Sequence, residues 1–190
     1  MKLSQSVYLA LFGSMALLLP CALAGDDAGP GGRVFRARLG GYQEVPSVST
    51  EGRGRFGAKL TGGGSTIDYV LEYSGLEGAE VRFAHIHFGQ LGVNGGVIVF
   101  LCDNTGGAPA GTPACPASGK VEGTLDADDV QGPSSQGIAA GELDELVRAM
   151  RRGVTYVNLH TDLFPAGEIR GQIFGGRGPH GGDDDDGDDE

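Results

Sequence analysis

The sequence predicts an all-β fold, a Greek-key β-sandwich of about eight strands with one short helix. Three observations predict it. Short runs alternate apolar and polar residues with a period of two, as half-buried strands require. Gly is abundant, at 36 of 190 residues, and much of it falls between those runs, where tight turns need it. One segment breaks the pattern with helical spacing, which accounts for the single short helix.

The elements follow in order. Phe35, Ala37 and Leu39 alternate with Arg36 and Arg38. Phe56, Ala58 and Leu60 repeat the pattern, and Ile67, Tyr69, Leu71 and Tyr73 place Asp68 and Glu72 on the opposite face. Val81–Phe88 and Val97–Leu101 are nearly continuous apolar runs, which predicts central strands. Lys120–Leu125 is a weaker strand signal, and Val154–His160 and Glu168–Phe174 close the domain. Between them, Leu143, Leu146, Val147 and Met150 fall at helical spacing. Glu142, Asp144 and Glu145 suit the positive end of that helix, and Arg148, Arg151 and Arg152 suit its negative end. Gly153 follows as a left-handed stop.

The flanks differ in kind. Lys2, the apolar stretch Val7–Leu19, Pro20 and the small-x-small site Ala22-Leu23-Ala24 predict a signal peptide over residues 1–24, cleaved before Gly25. The apolar stretch is short for a membrane span, so the mature protein is expected to be secreted or periplasmic, with no span left after cleavage. Residues 25–32 read as a flexible leader, 33–175 as the folded domain and 176–190 as a disordered acidic tail. Asp183–Glu190 carries seven of the charges behind the formal net charge of −11. Such a segment attracts divalent cations, but it lacks the ligand ladder of a calcium loop. With no concentration of Lys or Arg to neutralise phosphates, nucleic acid is not an expected partner. Cleavage would remove Cys21 and leave Cys102 and Cys115. An even pair in an oxidising compartment, flanking a Pro- and Gly-rich segment, predicts a disulfide. Two metal-binding thiols are the alternative.

Five stretches carry a resemblance. They are Leu39-Gly-Gly-Tyr-Gln-Glu-Val-Pro46, Ala84-His-Ile-His-Phe-Gly89, Asn94-Gly-Gly-Val-Ile-Val99, Tyr156-Val-Asn-Leu-His-Thr161 and Gly167-Glu-Ile-Arg-Gly-Gln172. In that order, over about Val34–Phe174, they resemble the CHRD domain of chordin and of many exported microbial proteins. The resemblance implies an immunoglobulin-like or superoxide dismutase-like sandwich. More distantly, His85-Ile86-His87 with the late His160 resembles the copper histidines of copper-zinc superoxide dismutases, and Arg170 their anion-guiding arginine. No histidine matches the ligand that bridges copper to zinc, and the zinc-loop ligands have no counterpart, so the resemblance implies no zinc site of that kind.

Read from the residues themselves, His85 and His87 project from the same face of one strand, about 6–7 Å apart along the chain. His160 shares a face with Tyr156 and Asn158 on a later strand. If the two strands are neighbours, three imidazoles can meet on one ion, provided their nitrogens lie within about 3–4 Å of one another. Imidazole favours copper(II) among the common divalent ions, and zinc second. Glu44, Glu168 or water could complete the set, and Glu44 with Arg170 could form an ion pair across the sandwich. No Gly-x-Ser-x-Gly elbow appears, and the Gly-rich stretches do not open a helix, which argues against a hydrolase or a phosphate cradle.

Three functions are therefore expected, in this order. The first is an exported, non-catalytic binding module holding one copper ion at His85, His87 and His160. The second is a metal-free structural or protein-interaction domain with a protein or cell-surface partner. The third is a copper-only dismutase-like enzyme.

Overall fold

The computed structural model describes residues 34–176. The expected signal peptide, the leader, the acidic segment and His180 lie outside the described residues. Nine strands are present among the described residues: β1 (Val34–Gly40), β2 (Arg53–Thr61), β3 (Thr66–Ser74), β4 (Val81–Phe88), β5 (Gly96–Asp103), β6 (Gly119–Leu125), β7 (Thr155–Thr161), β8 (Ile169–Gln172) and β9 (Phe174–Gly175). One helix, α1 (Leu143–Arg151), stands between β6 and β7. No helix among the described residues is long and apolar enough to cross a membrane.

All strand pairs are antiparallel, in the order β5-β4-β7-β8-β1-β2-β3-β6, with β9 also on β1. The sheet coils into a nearly closed, barrel-like sandwich. Its two ends are tied across the interior by side chains. The hydroxyl of Tyr69 on β3 donates to the Leu101 carbonyl on β5, and that of Tyr73 donates to the Pro116 carbonyl. Cys102 on β5 is bonded to Cys115, just before β6, with Cα atoms 5.1 Å apart. A loop of this length contributes roughly 3 kcal/mol through the entropy of the unfolded chain.

The eight expected strands all form. The expected run Glu168–Phe174 is divided at Ile173, whose N–H bonds the Thr155 carbonyl. β8 pairs with β7 and touches β1 at a single position, whereas β9 pairs with β1. The helix forms where its spacing places it. Leu143, Leu146, Val147 and Met150 are buried, and Gly153 has φ of +67°.

The sheet has two unlike halves. In β1, β2 and β3, buried and exposed residues mostly alternate, so one face packs on the core and the other meets solvent. β7 and β8 are buried along their whole length, and β4 from Ala84 to His87. Their core face carries Ala84, Ile86, Val157, Leu159 and Ile169, all fully buried. The opposite face is polar, and the connecting segments β1–β2, β4–β5 and β7–β8 supply its hydrogen-bond partners. A polar layer inside the protein, outside the apolar core, is where the site lies.

Candidate metal centre

β4 and β7 are direct neighbours. Their register sets His85 opposite Asn158, His87 opposite Tyr156 and Phe83 opposite His160. The expected meeting of three imidazoles therefore occurs. Ring centroids are 5.3 Å apart for His85–His87, 5.2 Å for His85–His160 and 6.2 Å for His87–His160. One ring nitrogen from each lies within 4.8 Å of the others, and all three residues are buried. This limit is wider than the 3–4 Å expected from the sequence. An ion at about 2.1 Å from each nitrogen spans at most about 4.2 Å, so a pair at the limit would close by roughly 0.6 Å.

Backbone carbonyls set the chemistry of two rings. His87 Nδ1 lies 3.0 Å from the Gly95 carbonyl, and His160 Nδ1 lies 3.0 Å from the Pro165 carbonyl. A carbonyl only accepts, so each Nδ1 carries the proton. In the neutral ring, each Nε2 is then a bare lone pair. Neither Nε2 has a hydrogen-bond partner among the described residues, and neither ring nitrogen of His85 has one. A donor bond from the far side of the ring that leaves the near nitrogen free is how ligating histidines are oriented.

Aromatic rings hold the imidazoles in place. Phe83 stacks on His85 at 4.7 Å, and Phe100 meets its edge at 4.3 Å. Tyr156 stacks on His87 at 4.8 Å, nearly parallel at 6°. The Arg170 guanidinium carbon lies 3.5 Å from the centroid of the Tyr156 ring. Tyr156 accepts the Gly95 N–H through its hydroxyl at 3.1 Å, so Gly95 is held through both of its backbone groups, the N–H by Tyr156 and the carbonyl by His87. A side chain at Gly95 would place its Cβ 1.7 Å from the Phe88 carbonyl oxygen, which explains the glycine.

Three further residues expected to support the site do other work. Glu168 is fully buried, and its carboxylate accepts four bonds: from Thr50 (2.8 Å), the Glu77 N–H (2.6 Å), the Gly78 N–H (3.2 Å) and Thr161 (2.8 Å). It ties together the β1–β2, β3–β4 and β7–β8 connections. Arg170 is 1% exposed and donates to Asn94 Oδ1 and to the carbonyls of Val93 and Gln90, so it holds the β4–β5 loop in place. Glu44 makes no ion pair within 4 Å among the described residues. Its carboxyl accepts from the Asn158 amide at 3.5 Å. Among the described residues, the group that could close on one ion is His85, His87 and His160.

The sequence reading missed Gly95 and Pro165. Each acts through its backbone carbonyl, which leaves no mark in residue type. Gly95 does fall inside a quoted motif.

Burial shapes the titration of the site. It lowers His85 to about 3, with the neighbouring His160 and His87 adding to the effect, and it lowers His160 to about 4. His87 is also lowered, by burial first. Burial raises Glu44 to about 7 despite the nearby Arg170. The unfolded chain takes up protons on these histidines from about pH 6.5 downward, whereas in the folded protein His85 and His160 do so only near pH 3–4 and His87 is shifted in the same direction. Their contribution to stability is therefore full above pH 6.5 and is lost as pH falls toward 4. Glu44 acts with the opposite sign, since its contribution is full below about pH 4.5 and is lost as pH rises toward 7. Three histidines outweigh one carboxyl. The urea midpoint of the metal-free protein is expected to fall between pH 6.5 and pH 4, and Glu44→Gln is expected to steepen that fall. A midpoint flat across this range would show that the rings are solvated rather than buried.

A family model described as the CHRD domain matches residues 35–173. No curated protein and no solved structure matches the chain.

Proposed function

The chain belongs to the CHRD domain family, and from that premise we propose that it is an exported, non-catalytic binding module that holds one metal ion, copper before zinc, between His85, His87 and His160. One observation carries this reading. Two of three adjacent buried histidines are locked by carbonyl bonds in the tautomer that presents Nε2 as a free lone pair, and the third is free at both nitrogens. Buried polar atoms without partners are costly, at about 1–3 kcal/mol each, so a packed structure seldom gathers four. A cation bound to three of these nitrogens would offset that cost. Imidazole donors favour copper(II) by the ordinary order of divalent affinities, and three of them leave a position open to water or to a ligand. The disulfide fits an oxidising compartment, in keeping with export.

The dismutase-like reading gains no support from Arg170, which is buried and committed to loop carbonyls. Untagged protein, loaded with copper(II) and dialysed, is expected to retain about one equivalent per chain. Its electron paramagnetic resonance spectrum is expected to show coupling to imidazole nitrogen. If the variant H85A/H87A/H160A retains as much copper with the same spectrum, the histidines are structural.

A further inference from the structure

The other half of the sheet presents the solvent face of β1, β2, β3 and β6. There a cleft of about 550 Å³ is lined by Arg38, Arg53, Arg55 and Lys120, with Glu72 as the one acidic residue of the lining. The strand register explains the concentration of charge. Arg38 on β1 stands directly opposite Arg55 on β2, Arg55 opposite Glu72 on β3, and Glu72 opposite Lys120 on β6. Arg53 lies on the same face of β2, two residues from Arg55. Like charges set directly opposite each other destabilise a sheet, so the Arg38–Arg55 pair opposes folding rather than aiding it. Among the described residues, Arg38, Arg53 and Arg55 have no carboxylate within 4 Å, and Lys120 pairs with the exposed Glu122 at 2.8 Å. A protein of formal net charge −11 thus gathers unpaired arginines in one exposed cleft.

We propose that this cleft is a polyanion-binding site whose resident ligand is the chain's own acidic segment, Asp183–Glu190. Charge complementarity is direct, because the segment carries seven acidic residues in eight. Reach is sufficient. The Gly176 N–H bonds the Val34 carbonyl at the start of β1, and Asp183 lies seven residues further on, a span of about 23 Å when extended. Arg38 stands about 13 Å along β1 from Val34, and the row from Arg38 to Lys120 crosses three strand spacings of about 4.8 Å. Tethering gives the segment an effective concentration in the millimolar range, so an external polyanion must displace it to bind. The contact is made by solvent-exposed charges, so it weakens with salt and adds little to stability.

Zero-length carbodiimide coupling on the full chain tests this without a substitution. Lys120 is expected to couple to residues 183–190 at low salt, at least tenfold more than the exposed Lys59 does, and 1 M NaCl is expected to abolish the difference. In a second arm, a chain ending at Gly182 is titrated with the peptide Asp-Asp-Asp-Asp-Gly-Asp-Asp-Glu. Binding is expected, and it is expected to weaken at least tenfold in R38Q/R53Q/R55Q with the circular dichroism spectrum unchanged. Equal coupling of Lys59 and Lys120 would overturn the proposal. So would equal binding of the peptide to both chains, or binding of a sulfated oligosaccharide but not of the peptide.

Discussion

Copper(II) at a hundredfold excess over its dissociation constant is expected to raise the melting temperature by roughly 9 °C. Binding to the folded state alone stabilises by about 2.7 kcal/mol at that ratio. A domain of this size loses stability at about 0.3 kcal/mol per degree near its midpoint, which gives the shift. The two carbonyl-bonded rings are already in the ligating tautomer, so little reorganisation opposes binding. Single His→Ala changes at positions 85, 87 and 160 are each expected to remove most of the shift. They are also expected to leave the metal-free protein folded, since each removes at least one buried nitrogen that lacks a partner, which offsets part of the lost packing and, at His87 and His160, of the lost carbonyl bond. His180→Ala is the control and is expected to keep the full shift. Differential scanning calorimetry with and without copper makes the measurement. A triple His→Ala variant that gains as much as the wild type would end the metal reading.

Glu168→Ala is expected to cost about 4 kcal/mol, a fall in melting temperature of roughly 13 °C. The side chain is fully buried and accepts four hydrogen bonds, two from backbone N–H groups and two from hydroxyls. Four bonds to a charged acceptor at about 1.5–3 kcal/mol each would total roughly 6–12 kcal/mol, and hydration of the donors left behind recovers much of it. The net loss lies in the upper tail of single-substitution effects. Glu168→Gln keeps the volume but turns an amide N–H₂ toward one backbone N–H, which can only donate, and one hydroxyl, which would have to accept instead, so an intermediate loss is expected. Copper retention separates the two roles offered for this residue. A brace for loops leaves the metal stoichiometry of Glu168→Gln at one, whereas a ligand would lower it. A fall below 1 kcal/mol in Glu168→Ala would show that the three connections do not depend on the carboxylate.

The sequence by itself determined the class of fold, the strands and the helix, because period-two and period-3.6 patterns are local consequences of backbone geometry. Phe35, Ala37 and Leu39 pack inward whatever strand lies beside them, and Leu143, Leu146, Val147 and Met150 share one helix face. The sequence also placed His85 and His87 on one side of a strand, since alternation along a strand requires it. Only the tertiary structure decided that β4 and β7 are neighbours, and with that whether His160 joins the pair. Register between strands as distant in the chain as β4 and β7 is set by packing of the whole sheet, which no local pattern records. The same holds for the roles of Glu168 and Arg170. Each matched the composition of a binding site, yet one braces three connections and the other holds a loop, because their partners, backbone groups together with the side chains of Thr50, Thr161 and Asn94, are gathered only by the fold. The break at Ile173 has the same cause, a change of neighbouring strand rather than a change of pattern. The row of charges from Arg38 to Lys120 was present in the sequence as four separate residues on four strands. It became one cleft only when antiparallel pairing set them side by side.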